Sequence, residues 1–483
     1  MRLLFIYSPS AAFHIDEPLG ILDLSGMLKA HGHQCELFIP EFERDFLSKV
    51  KEFNPDMIGY SCISGSEDYY LKINRFLKDR LAFTAIMGGP YTTFSPDIID
   101  REKSLDIICR GEGDYPLLEL ANRFDAKKDI CDIANLWIRN NGEVIKNSVR
   151  PRIVDLDNLP MPDRTILYKY QCYRKHKSRT FMASRGCPYT CTYCFNHAYN
   201  KMYGEKKVVR HKSVERILDE IEDVRNKYRI RRITFQDDVF VASLPWVEEF
   251  SKKYPKRIGI PFSIFARAEM INEDVARQLA LAGCRTVIMA IESGVERIRR
   301  EILKRGMSNE RILQASNLLH KYNISIVTQN MIGLPTEDYN DIMETIRLNI
   351  RCRPDYAWVS IFQPYPGTEV YKYCKENGFL LDEYKNVPNF HYSSSLRRSN
   401  SVEVDKIHKL FAIIINFPFL LRHTRLLLKV SNLKMLKAAY ILFKGYSYAF
   451  KQKVTLIDMG LFNYLKRMFL EKGFTKFIPV NFK

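Results

Sequence analysis

Cys187, Cys191 and Cys194 stand on one short run, Arg185-Gly186-Cys187-Pro188-Tyr189-Thr190-Cys191-Thr192-Tyr193-Cys194-Phe195, in C-x3-C-x2-C spacing. Three thiolates so placed can hold three corners of a cubane iron–sulfur cluster from a single loop. Ordinary cluster carriers supply four cysteines, one per iron. A three-cysteine loop leaves one iron open, and an open iron can bind and reduce a small molecule. The competing readings are a zinc loop and three unrelated buried cysteines. Zinc sites favour C-x2-C pairs with a second Cys/His pair downstream, and the sequence offers no such pair.

The elements that must position this loop follow from periodicity. Up to about residue 135, short apolar runs (Leu3–Tyr7, Cys35–Ile39, Met57–Ser61, Thr84–Met87, Asp106–Cys109) alternate with helix patterns, which predicts a doubly wound α/β sheet. Ligands of such sheets bind beyond the carboxyl ends of the strands. Small and hydroxyl residues collect there, at Pro18-Leu19-Gly20, Ser61–Ser66, Gly88–Thr93 and Gly111–Asp114. Taken singly, each of these stretches reads as a turn. Asp155–Pro162 is a proline-punctuated linker. Six further strands are expected at Thr180–Ser184, Arg232–Phe235, Phe262–Phe265, Thr286–Ile291, Ile324–Met331 and Ala357–Phe362, with helices between them. Six repeats suggest a partial β/α barrel with its chemistry on the loops after the strands, and the cysteines follow the first strand. The expected domains are 1–150, a linker at 151–170, 171–385, and a basic helical segment at 386–483.

Composition sets bounds on the rest. The 483 residues are 46% hydrophobic and 27% charged, as in ordinary globular proteins of two or three domains. Eleven cysteines are too sparse for a disulfide framework and suit a reducing cytoplasm. The first apolar run is too short for a signal-peptide core, and no stretch reaches the ~18 apolar residues of a spanning helix. The net charge of +18 is concentrated at the end, where Ser401–Lys483 carries 15 Lys/Arg against 4 Asp/Glu. That tail shows no nucleic-acid-binding module. It reads as amphipathic helices that cap the barrel or dock on anionic lipid. The expected location is the cytoplasm, with peripheral contact to the inner membrane face as the sharper alternative.

The cysteine spacing, with Tyr193 before the third cysteine, resembles the radical SAM enzymes, and residues 1–384 as a whole resemble those with a cobalamin-binding domain. The resemblance implies a Rossmann-like cobalamin-binding domain, a partial TIM-like barrel, and three cofactors: a [4Fe–4S] cluster, S-adenosylmethionine (SAM) and cobalamin. It implies that SAM chelates the fourth iron and that one electron, from an external flavodoxin- or ferredoxin-type reductant, releases a 5′-deoxyadenosyl radical. It places SAM contacts at Tyr193, Gln236, Asp237, Asp238, Glu292, Ser293, Arg305, Ile332 and Gly333. Cobalamin contacts are expected at Pro18, Leu19, Gly20, Ser61, Ser64, Gly88, Gly89, Pro90, Thr92 and Glu112. The Asp-x-His-x-x-Gly run that ligates cobalt from below is absent, and His14, His31 and His33 read as surface residues, so cobalt is expected without a lower histidine.

The function implied is methyl transfer to an unactivated carbon of a small or lipid-like substrate. The rivals are a non-methylating cyclase or rearrangement enzyme on the same two domains, and a cobalamin- or SAM-binding sensor. A sensor has no need of an open iron. A methylthiotransferase would carry cluster cysteines in its N-terminal domain, and Cys35, Cys62, Cys109 and Cys131 lack that spacing.

Overall fold

Short apolar runs separated by amphipathic helices form two sheets in the computed structural model, which describes residues 1–9, 17–204, 209–382, 394–397 and 401–446. The chain divides into two units; among the described residues the first holds 1–175 with 199–204, and the second holds 176–198 with the rest.

In the first unit, β1 (Arg2–Ile6), β2 (Gln34–Phe38), β3 (Met57–Ser61), β4 (Thr84–Gly88), β5 (Ile107–Cys109), β6 (Leu136–Asn140) and β7 (Glu143–Lys146) are ordered β2-β1-β3-β4-β5-β6-β7. The first five pair in parallel and the last two antiparallel. Strand order reverses between β1 and β3, the switch point where such sheets open a ligand crevice. Leu3-Leu4-Phe5-Ile6 and Met57-Ile58 are buried because helices cover both faces. The β6–β7 hairpin was not among the expected elements. Its signal is Asn141-Gly142, both at positive φ (49° and 89°), as a two-residue hairpin turn requires.

In the second unit, β8 (Ser178–Phe181), β11 (Arg232–Phe235), β12 (Phe262–Ala266), β13 (Cys284–Glu292), β14 (Ser325–Ile332) and β15 (Tyr356–Ile361) form a six-stranded parallel sheet in the order β15-β14-β13-β12-β11-β8. It curls as a half-barrel. The first strand ends earlier than expected because β9 (Ser184–Arg185) leaves it to pair antiparallel with β10 (Arg210–His211). Four crossover helices start where side chains cap them: Ser213, Asn272, Ser308 and Asp338 each accept the backbone N–H three residues on.

The helix Ser401–Asn416 covers the edge strand β15, with Ile407, Phe411 and Ile414 buried in one cluster with Val359 and Ile361. The apolar run Phe411–Leu421 is thereby split: its start is core, while Phe417 and Phe419 are exposed. No helix among the described residues is long and apolar enough to cross a membrane. Residues 447–483 of the basic segment, and His14, lie outside the described residues. His33 corrects one expectation. It is buried, with its ring 3.1 Å from Asp125 and 3.0 Å from Asn122. It precedes β2, at the end of the sheet opposite the crevice.

Candidate cluster and cofactor sites

The loop after β9 carries Cys187 and Cys191, both buried, and the half-buried Cys194. Burial pushes the Cys187 thiol up to about 11 and the Cys194 thiol up to about 12, so without a metal both are held protonated. Two guanidiniums face Cys191: Arg267 Nη1 donates to its Sγ at 2.9 Å and Arg305 Nη1 lies at 3.8 Å. No three His, Cys, Asp or Glu side chains among the described residues converge tightly enough for a single metal ion. A cubane is larger than one ion and spreads its thiolates. Soft thiolates with cationic neighbours fit such a cluster.

The loop is tied to the rest of the half-barrel. Thr192 donates through its N–H to Leu303 O (3.2 Å) and through Oγ1 to Ile302 O (2.6 Å), and its own carbonyl accepts from Val370 N–H (3.0 Å). Tyr193 Oη donates to Glu292 Oε1 at 2.8 Å and accepts from Arg305 Nη1 at 3.0 Å. Arg305 also donates to Ala290 O at 2.6 Å, while its Nε is buried without a partner. Glu292 sits at a register shift of β13 with φ +70°, a costly conformation for a residue other than glycine. Burial raises the Glu292 carboxyl, with Arg305 opposing. Tyr193, Glu292 and Arg305 thus form one charged cluster against Cys191.

The other expected SAM contacts are placed differently. Asp238 is exposed, and desolvation raises its carboxyl against the hydrogen bond from Asn196. Asp237 turns into the fold, accepting from Ala183 N–H (3.1 Å) and Ser184 Oγ (2.5 Å). Gln236 is half-buried after β11. The Ser293 hydroxyl accepts Val295 N–H at 3.2 Å inside a local turn. Ile332 is packed in the core beside Ile346. Gly333, at φ +75°, donates its N–H to Glu337 Oε2 at 2.5 Å.

In the first unit, the crevice residues after β3 and β4 are small or exposed. Nothing lies within 4 Å of a Cβ built on Gly20, and one on Gly88 meets only Cys109 Cβ at 3.7 Å. Ile63, beside Ser61 and Ser64, is 52% exposed, an apolar platform at a strand end. Gly89 (φ +98°) passes so close to Cys62 that a Cβ would lie 2.6 Å from its carbonyl oxygen. Pro18 and Pro90 open the helices Leu19–Ala30 and Pro90–Phe94. An open, partly apolar cradle of this kind fits a flat macrocycle. Thr92 and Glu112 are engaged elsewhere: Thr92 Oγ1 donates to Cys109 O (3.2 Å) and Glu112 accepts Ile153 N–H (2.9 Å). Gly111 makes room for Tyr203, whose Oη would lie 2.1 Å from a Cβ there.

Sequence reasoning passed over Arg267, Glu269, Asn196 and Tyr203. Arg267 could have been found, because it directly follows the apolar strand Phe262–Ala266 at the end where a barrel keeps its chemistry. Tyr203 carries no local signal.

Residues 182–348 match the Radical SAM superfamily and residues 14–121 the B12 binding domain. The chain is similar to an uncharacterized methyltransferase, PH0819, of Pyrococcus horikoshii (29% identical; 75% of this chain, 80% of that protein). It is also similar to the anaerobic magnesium-protoporphyrin IX monomethyl ester cyclase of Synechocystis sp. (24% identical; 76% of this chain, 75% of that protein). Among solved structures, the cobalamin-dependent S-adenosylmethionine radical enzyme OxsB shares the fold, with TM-score 0.71 at 17% identity over 96% of this chain and 72% of that one. The chain belongs to the radical SAM superfamily as an enzyme with a B12-binding domain, and the cofactors of that combination are a [4Fe–4S] cluster, S-adenosylmethionine and cobalamin.

Proposed function

We propose that the protein is a cobalamin-dependent radical SAM methyltransferase acting on an unactivated carbon of a small molecule. The observation that carries the reading is the three-cysteine loop joined to the Tyr193–Glu292–Arg305 cluster in a chain that also holds a B12-binding domain. The likeness to PH0819, a methyltransferase by name, supports methyl transfer. The likeness to the cyclase keeps a non-methylating reaction as the second reading.

When bound, the cluster with SAM supplies a carbon-centred radical and cobalamin supplies a methyl carrier. The chain's own residues do the holding. Cys187, Cys191 and Cys194 would ligate the cluster. Arg305 would offer donors to the SAM carboxylate, Asp238 would offer an acceptor to the SAM ammonium, and Glu292 would offer one to the ribose. Glu292 pays for its strained backbone by presenting the carboxylate inward from the bulge. Gly20, Ser61, Ser64, Gly88 and Gly89 would line the corrin. An external flavodoxin- or ferredoxin-type protein would deliver the electron. The domain bounds 1–150, 171–385 and 386–483 go with this reading.

Anaerobic reconstitution tests it. The wild type should hold the cluster and form 5′-deoxyadenosine and a methylated product; single Cys→Ala variants should lose both. Full iron retention by a triple variant would overturn the cluster assignment, and a cyclised or rearranged product with no added methyl group would favour the second reading.

The same proposal includes docking on an anionic membrane surface, which suits a lipid-like substrate and a cytoplasmic protein at the inner face. From Lys406 to Tyr446 the chain carries basic residues and no Asp or Glu. The helix Leu433–Tyr446 buries Leu436 and Phe443, yet leaves Met435, Leu442 and Tyr446 exposed at helical spacing on another face, Leu442 at 73%. Leu426 and Val430, one turn apart, are 58% and 70% exposed beside Arg422, Arg425 and Lys429. Apolar stripes flanked by cations complement anionic lipid. Phosphatidylglycerol vesicles should sediment the wild type at low salt and less at high salt, and a Leu426→Glu/Val430→Glu/Leu442→Glu variant should stay in solution. Equal, negligible binding by both would leave these helices as a cap.

A further inference from the structure

Arg267 is held on every side. Its Nε donates to Glu269 Oε1 at 2.8 Å, its Nη2 lies 2.5 Å from the same oxygen, and its Nη1 donates to Cys191 Sγ at 2.9 Å. The guanidinium carbon Cζ lies over the Tyr189 ring, 3.6 Å from its centre, inside the cysteine loop itself. Only 6% of the residue is exposed. The short turn Ala268–Met270 that carries Glu269 is pinned in turn by Arg311 Nη2, which donates to Glu269 O (3.0 Å) and Ile271 O (3.2 Å). A guanidinium with one hydrogen-bonding edge on a carboxylate, its face on an aromatic ring and its remaining donor on sulfur has no rotamer freedom left to lose.

We infer that Arg267 is a positioning residue that fixes a permanent positive hydrogen-bond donor on the Cys191 thiolate and thereby sets the reduction potential of the cluster. The inference rests on the three-cysteine assignment. The reasoning is electrostatic. Reduction adds an electron, so a buried cation bonded to a ligand sulfur stabilises the reduced state more than the oxidised one, and hydrogen bonds to sulfur are among the determinants of cluster potentials. Arg305 faces the same sulfur at 3.8 Å, but its two Nη groups are spent on Tyr193 Oη and Ala290 O, so its tie to the sulfur is the weaker one and its unpartnered Nε is the donor left for a ligand. The two arginines therefore divide the work: Arg267 serves the cluster and Arg305 serves SAM.

The test is redox titration of the reconstituted protein without SAM, followed by electron paramagnetic resonance of the reduced cluster, beside a SAM-binding isotherm. Arg267→Gln should make reduction harder by about tenfold in the one-electron equilibrium, ~59 mV more negative, with iron content and SAM affinity close to wild type. Arg267→Lys keeps the charge without the fork and should recover part of the shift, and it carries the test alone if the Gln variant holds no cluster. An unchanged potential in the cluster-loaded Gln variant, or in the Lys variant where that one alone holds a cluster, would overturn the inference; if SAM binding weakened at the same time, Arg267 would be a SAM ligand instead. A wild type that shows no reduced-cluster signal at all would instead strike the cysteine assignment.

Discussion

Replacing Asp237 with Asn should make the second unit more stable at neutral pH and leave it unchanged in acid. Asp237 is 1% exposed at the end of β11, and burial pushes its carboxyl from 3.8 up to about 6, against the opposing pull of Ser184, Ala183 and Lys212. A folded-state value above the unfolded one means that the folded protein holds the proton more tightly. The contribution of this group to stability is therefore greatest below about pH 4, falls as pH rises through 6, and stays low above that. That rise corresponds to ~3 kcal/mol. Asparagine has no proton to lose. Its Oδ1 can accept the Ala183 N–H and its amide can donate to Ser184 Oγ, so both links to the strand leading into the cysteine loop survive. Denaturant unfolding of the cluster-free protein, followed by tryptophan fluorescence, reads the difference, since Trp246 and Trp358 both lie in the second unit. The expected result is a variant up to ~3 kcal/mol more stable than wild type near pH 8 and equal to it near pH 4. A variant destabilised to the same extent at both pH values would refute the reasoning, because it would mean that the fold needs the charge.

Gly294 follows Glu292-Ser293, and a Cβ there would lie 2.5 Å from Glu344 O and Thr345 Cα, helix backbone that cannot yield. Gly294→Ala should cost ~1–3 kcal/mol of stability and weaken SAM binding by displacing Glu292; wild-type melting and SAM affinity would show the close approach to be tolerant. Cobalamin bound to the first unit should give a Co(II) paramagnetic resonance spectrum without nitrogen coupling from a lower histidine, since His33 is buried at the opposite end of the sheet. Nitrogen coupling there would point to His14.

Much of the fold was legible because it rests on local periodicity. Apolar runs such as Leu3–Ile6 and Thr286–Ile291, spaced by capped amphipathic helices, report strand, helix and crossover without knowledge of any contact. The cysteine loop was legible for the same reason: three ligands on one turn of chain need no distant partner to be recognised, and the position after a strand places their chemistry. The β6–β7 hairpin was legible too, through Asn141-Gly142, and was overlooked.

What only tertiary structure decided was direction and company. Asp237 and Asp238 are adjacent in the loop after β11, yet one turns into the fold toward Ser184 and the other lies exposed beside Asn196; the sequence holds both as equal carboxylates. Gly111 looked like room for a ligand, and it is room for Tyr203, ninety-odd residues away. Arg267 and Arg305 are both cations after strands. Which of them is spent on Cys191 and which keeps an unpartnered Nε depends on Glu269, Tyr189 and Ala290, neighbours brought together by the curl of the sheet. Periodicity records which side of an element is apolar, but hydrogen bonds between distant segments depend on how those elements pack, and that is settled by the burial of the whole core.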